Sequence, residues 1–179
     1  DITPLASLVN LKELWLNKNQ IANLKPLSGL KKLKGLALNN NQITDLIPLV
    51  GLNELEYLSI QNNRIIDLAP LTGLRGLEVL DLRDNQVTNL APMSGMSQVK
   101  WLSLEGNQIT DEQLMHLRGL TKLELLGLSF NQLSDLGHLV QLQKLGHLLL
   151  FGNPNLKQSE IDKLQKALPK CTIGHNVLK

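Results

Sequence analysis

Residues 33–52 read Leu33-Lys34-Gly35-Leu36-Ala37-Leu38-Asn39-Asn40-Asn41-Gln42-Ile43-Thr44-Asp45-Leu46-Ile47-Pro48-Leu49-Val50-Gly51-Leu52, and their leucines keep two different rhythms. Leu36 and Leu38 alternate with smaller or polar residues, the period of a strand with one buried face. From Leu46 the spacing lengthens to three, through Leu49 and Leu52, which suits a brief 3₁₀ turn. Asn41 and Ile43 lie between the two rhythms. The following residues repeat the arrangement as Leu55, Leu58, Ile60, Asn63, Ile65, Leu68, Leu71 and Leu74.

Outward from this stretch the asparagine recurs as Asn19, Asn41, Asn63, Asn85, Asn107, Asn131 and Asn153, every 22 residues except for a gap of 24 after Asn107. Seven copies of one motif define a repeat architecture, in which each unit buries its apolar side only by stacking on its neighbours. Each asparagine ends a strand inside the coil, where backbone groups have no water to bond. Its amide is expected to bond the turns above and below. Alanine in its place would strand a buried polar group at ~1–3 kcal/mol.

The second half of the repeat carries proline: Asp45 to Leu52 recurs as Asp67 to Leu74, and Pro26 and Pro92 hold the matching places. Proline lacks a donor and fixes φ, so it fits the first turn of a short helical segment. Thr110 to Leu117 departs from the pattern. Two extra residues and Asp111 as a capping residue predict a fuller α-helical turn there.

The whole motif resembles the leucine-rich repeat family, and the match runs over nearly the entire chain. The leucine-x-proline-leucine element is similar to the 22-residue repeats of bacterial internalins, ahead of those of a eukaryotic phosphatase regulator. The resemblance implies an α/β leucine-rich repeat solenoid: a curved right-handed coil, a parallel sheet on its concave side, and 3₁₀ or short α segments on its convex side. It also implies a binding module that takes a macromolecular partner, from a bacterial protein in a secreted or cell-surface setting ahead of a cytoplasmic one. The alternatives are an intracellular regulatory or scaffold subunit and the recognition part of a larger enzyme.

Residues 1–158 read as the repeat array and residues 159–179 as a C-terminal cap. Asp1 to Leu8 aligns with Asp45 to Leu52, so the array is expected to begin inside a repeat, as a piece of a longer one. At the far end Ser159 is placed to N-cap a helix with Ile161, Leu164, Ala167 and Leu168 on its apolar face and Pro169 at its end. Cys171, Thr172 and Ile173 would follow as an edge strand. A strict internalin pattern continues instead into an immunoglobulin-like domain.

The net charge of +2 argues against electrostatic nucleic-acid binding, and no apolar run is long enough to span a membrane. Lys12, Lys18, Lys25, Lys31, Lys32 and Lys34 read as a solvated basic end. The single cysteine, Cys171, permits no internal disulfide and reads as a small buried side chain. His147 has no carboxylate within a repeat of it on the strand positions and no nucleophile beside it. His116 and His138 read as solvated convex residues and His175 as part of the tail. The expectation is therefore a non-enzyme, monomeric, with neither metal nor cofactor.

Candidate contact residues come from the strand positions that the leucines leave free. The aromatic residues Trp15, Tyr57, Trp101, Phe130 and Phe151 all read as outward positions on strands. Tyr57, Val79, Trp101, Leu125 and His147 form a column one place before the first strand leucine, with Phe130, Leu149 and Phe151 flanking it. Asp81, Arg83, Asp84 and Glu105 lie beside that column. An apolar stripe bordered by charge is how interface hot spots are built. A sheet-stabilising ladder is the competing account. Against it, the first repeats place Gly35, Ala37, Asn39 and Asn40 in the same positions, so the fold does not require bulk there. Trp15 stands apart among polar neighbours, as a possible secondary contact.

Overall fold

The computed structural model describes residues 1–177; Leu178 and Lys179, the end of the expected cap, lie outside them. Eight three-residue strands form one parallel sheet in chain order: β1 Glu13–Trp15, β2 Gly35–Ala37, β3 Tyr57–Ser59, β4 Val79–Asp81, β5 Trp101–Ser103, β6 Leu125–Gly127, β7 His147–Leu149 and β8 Thr172–Gly174. Neighbours pair in register at the repeat spacing. Leu14, Leu36, Leu58, Leu80, Leu102, Leu126, Leu148 and Ile173 therefore make one continuous row under the sheet. From Leu36 to Leu148 that row is at most 1% exposed. This is the solenoid the repeat implies, with a core that is a stack of leucine layers.

The chain returns on the other side through 3₁₀ segments such as Lys25–Leu27, Ile47–Leu49, Ala69–Leu71 and Ala91–Gly95, each with its proline in the first two positions. The polar residue ahead of each segment starts the turn. Asp45 accepts from the Ile47 N–H at 2.8 Å, and Asp67 and Asn89 do the same for Ala69 and Ala91. A short side-chain oxygen bonding the backbone two residues on is the usual way such a turn begins.

Two local expectations are corrected. Asp111–Leu117 is a seven-residue 3₁₀ segment and not an α-helical turn, and Asp111 does not cap it. The Asp111 carboxylate instead accepts from the backbone N–H of Ser134 in the next repeat, at 2.7 Å. The two additional residues lengthen this convex segment and leave the sheet untouched, since Trp101 still pairs with Leu125. At the end, α1 spans Gln158–Ala167 with Lys157 as its N-cap residue and no side-chain cap bond. Ser159 is one residue inside the helix. Ile161, Leu164 and Leu168 cover the last leucine layer, and Cys171 is buried with them.

The asparagines form a ladder, but one that runs one way. Each amide bonds its own strand end and the preceding repeat; contrary to the expectation, none bonds the following one among the described residues. Asn63 donates to the carbonyls of Leu38 and Ile60, both at 3.0 Å, and its Oδ1 accepts from the Ile43 N–H at 3.0 Å. Asn85, Asn107, Asn131 and Asn153 repeat these three bonds one turn further on each time. Each amide thus ties its own strand end to the turn of the preceding repeat.

Candidate concave binding face

The sheet aligns the candidate residues in rows across the strands. Glu13, Gly35, Tyr57, Val79, Trp101, Leu125 and His147 are successive partners, as are Trp15, Ala37, Ser59, Asp81, Ser103, Gly127 and Leu149. Strand separation of ~4.8 Å gives the face a length of roughly 30 Å. Trp101 is 53% exposed between Val79 and Leu125, both half-buried. His147 is exposed beyond them.

The placement of the aromatics differs from the sequence reading in two ways. Trp15 does not stand apart: its ring meets Tyr57 edge-on, with centroids 5.5 Å apart and planes at 72°. It reaches across β2, where Gly35 lies 3.5 Å beneath it measured to a notional Cβ. Tyr57 therefore has a neighbour on the N-terminal side, and the stripe splits into a Trp15–Tyr57 pair and a second group around Trp101. Phe130 and Phe151, in turn, are not strand residues. They lie past the ends of β6 and β7, and Phe130 takes the left-handed conformation at φ 56°. The same turn position holds Lys18, Asn40, Asn62, Asp84, Gly106 and Gly152, all at positive φ. Only glycine and, less well, asparagine adopt that region at little cost, so a phenyl ring 66% exposed there serves neither core nor turn.

Large side chains of this face lie over glycines of the following repeat. Trp15 covers Gly35, Asp84 covers Gly106, Glu105 covers Gly127, Phe130 covers Gly152 and Phe151 covers Gly174. A Cβ on Gly127 would run into the Glu105 carboxylate, and one on Gly152 into the Phe130 ring. These glycines are part of the face, and reading each column singly misses them. For Asp84–Gly106 and Phe130–Gly152 the signal was a bulky residue followed one repeat on by glycine; the other glycines lie diagonally from the residue that covers them.

The charged group is partly satisfied within itself. Arg83 holds Asp81 by two bonds, Nε to Oδ1 at 2.9 Å and Nη2 to Oδ2 at 2.6 Å, and the hydrogen bond raises the Arg83 pKa above its ordinary value. Asp81, with 9% of its surface exposed, is covered rather than presented. Ser59 donates to Asn39, and Asn39 also accepts from the Gln61 N–H, so the polar row to the N-terminal side bonds mostly to itself. Glu105 is different. Its Oε2 is screened from water and receives no hydrogen bond, and burial pushes its pKa up; a bond from its own backbone N–H and the Arg83 charge oppose that shift, and Asp81 and Asp84 add to it.

A raised carboxylate pKa means that the folded chain holds this proton more tightly than the unfolded chain. That contribution to stability is complete below the ordinary glutamate range and is lost as pH rises through the folded pKa. Glu105→Gln carries no such penalty. Its melting temperature is expected to exceed the parent's at neutral pH and to converge with it as pH falls below the usual carboxylate range. Parallel melting curves across pH would contradict this account of Glu105.

Comparison with known proteins places this geometry. The family model described as leucine-rich repeats in two copies matches residues 1–51 and 53–95. The chain belongs to the leucine-rich repeat family. Internalin C2 of Listeria monocytogenes superposes with a TM-score of 0.89 at 31% identity, over 96% of this chain and 74% of that one. Internalin F of the same organism gives 0.77 at 29% identity, over 100% of this chain and 59% of that one. A leucine-rich repeat protein of Leptospira interrogans gives 0.88 at 31%, over 96% and 44%. The chain thus spans less than two thirds of the length of the last two. A search of curated proteins found no match.

Within this leucine-rich repeat chain the remaining chemistry-bearing groups are dispersed. His116 and His138 lie in the convex segments, and no described residues group three or more histidine, cysteine or acidic side chains as a metal site would. No helix among the described residues is long and apolar enough to cross a membrane.

Proposed function

We propose that the chain is a protein-binding module that receives its partner on the concave sheet, through Trp101, Val79, Leu125 and the flanking Phe130, Leu149, Phe151 and His147. Leucine-rich repeat folds are typical protein-interaction modules, and a rigid, preformed face lowers the ordering cost of association. The observation that carries the reading is Trp101, half exposed on a strand row whose equivalent in β2 is Gly35. Its ring adds nothing that the fold needs. The Trp15–Tyr57 pair is assigned to a secondary contact. The chain acts as a monomer without cofactor, catalysis or nucleic-acid binding, with residues 1–158 as the array and 159–179 as its cap. The likeness to the two Listeria internalins supports a bacterial source, and with it a secreted or cell-surface setting.

Trp101→Ala tests this. Removal of a central tryptophan anchor costs about 2 kcal/mol or more of binding, roughly thirtyfold in affinity. Proteins retained by the immobilised parent in a pull-down should be lost from the variant, while both melt alike by circular dichroism. Equal retention would sink the proposal, and so would retention lost only together with the fold.

A further inference from the structure

The charges of the concave face do not balance. Three carboxylates, Asp81, Asp84 and Glu105, share one neighbouring cation, and Arg83 is committed to Asp81 by both of its bonds. Asp84 and Glu105 have no ion-pair partner among the described residues. Lys100, at the opposite end of β5, is held by Glu78 at 2.8 Å. Glu105 is the more telling of the two. Its carboxylate rests on Gly127, and its Oε2 is cut off from water with no hydrogen-bond donor among the described residues; the carboxylate's one donor is its own backbone N–H. A carboxylate held in that way is costly until a positive donor is supplied. On the C-terminal side the same corner is edged by Phe130, 66% exposed, and Phe151, 40% exposed.

We infer that the partner is a protein segment bearing an arginine side chain, which sets its guanidinium on Glu105 and Asp84 and lays its plane or stem along the Phe130–Phe151 edge. The inference rests on the concave-face reading and makes its partner chemistry specific. Arginine fits on two counts. Its planar fork matches carboxylates in pairs, and it stacks on aromatic faces while remaining weakly hydrated. A metal ion fits less well, because these carboxylates do not converge as a metal site. Purely apolar partners would bury Glu105 further without satisfying it. Nucleic acid, with its phosphates, would be repelled at this corner.

A displayed library of random twelve-residue peptides, selected separately against the 179-residue parent, Glu105→Gln and Asp84→Asn, tests the inference. Peptides selected on the parent should be enriched in arginine beside an apolar residue, and that enrichment should fall away on both variants. A synthetic peptide from the parent selection should bind Glu105→Gln about tenfold more weakly, the loss of one charge-assisted bond. Its citrulline analogue should lose as much on the parent and nothing further on the variant. Asp84→Asn changes an exposed side chain and keeps the test valid should Glu105→Gln disturb its surroundings. Peptides without basic enrichment, or arginine peptides that bind the parent and both variants alike, would overturn the inference. If such peptides bind but also ignore Trp101→Ala, the arginine corner stands and the wider apolar stripe does not.

Discussion

Asn63→Ala is expected to lose about 3 kcal/mol of stability, read as a lower denaturant midpoint by circular dichroism. The bonds of its amide, to Leu38, Ile60, Gln61 and the Ile43 N–H, do not fail equally. The carbonyls of Leu38 and Ile60 each keep a second amide, from Asn41 and Asn85 respectively. The Ile43 N–H has Asn63 Oδ1 as its partner and sits in the buried interior of the coil, so it is left with nothing. An orphaned buried donor costs about 1–3 kcal/mol beyond the bonds removed. Asn19→Ala supplies the comparison. Asn19 is exposed and bonds only carbonyls of its own turn, those of Leu16 and Asn17 at 3.1 Å. Its loss should stay below about 1 kcal/mol. If Asn63→Ala unfolded with the parent, the ladder would be a consequence of the fold and not a support of it.

Leu80→Ala should cost about the same, 2–5 kcal/mol, for a different reason. Leu80 is 1% exposed and lies in register between Leu58 and Leu102, so truncation leaves a cavity that the flanking layers cannot fill without leaving register. Its chain neighbour Val79 faces the other way and is half-buried. Val79→Ala should change stability by less than about 1 kcal/mol. One residue therefore separates a position that holds the array together from one on the face proposed to receive a partner. Chemical denaturation of the two variants measures that division directly, and similar losses from both would abolish it.

The solenoid was legible because its determinants are periodic. Leucine spacing, the asparagine and the proline each recur, and each has a physical role that acts within one repeat or between neighbours. The Asp111 segment and the Ser159 cap were misread because helix type and cap depend on contacts made across repeats, such as Asp111 with Ser134. The candidate face was legible as rows but not as contacts. Trp15 reaches Tyr57 two strands away only because β2 is flat at Gly35, a fact about the residue between them. Phe130 counts as a strand residue by spacing, yet its positive φ follows from the turn and not from its own preference. Asp81 reads as presented charge, and the Arg83 bond that covers it depends on side-chain geometry.

The strict pairing of each strand with the next has a further consequence. Length variation in this chain is absorbed by the convex segments, as Asp111–Leu117 shows, while the strand rows advance one step per repeat. Across the strands, the separation between candidate residues of one row is thus a whole number of steps of ~4.8 Å. Insertion of a complete repeat between β3 and β4 would lengthen the gap between the Trp15–Tyr57 pair and the group around Trp101 by one such step, without altering either group. The face is in effect a ruler with fixed graduations, and under the proposed function a partner spanning both groups would be matched to it by counting repeats.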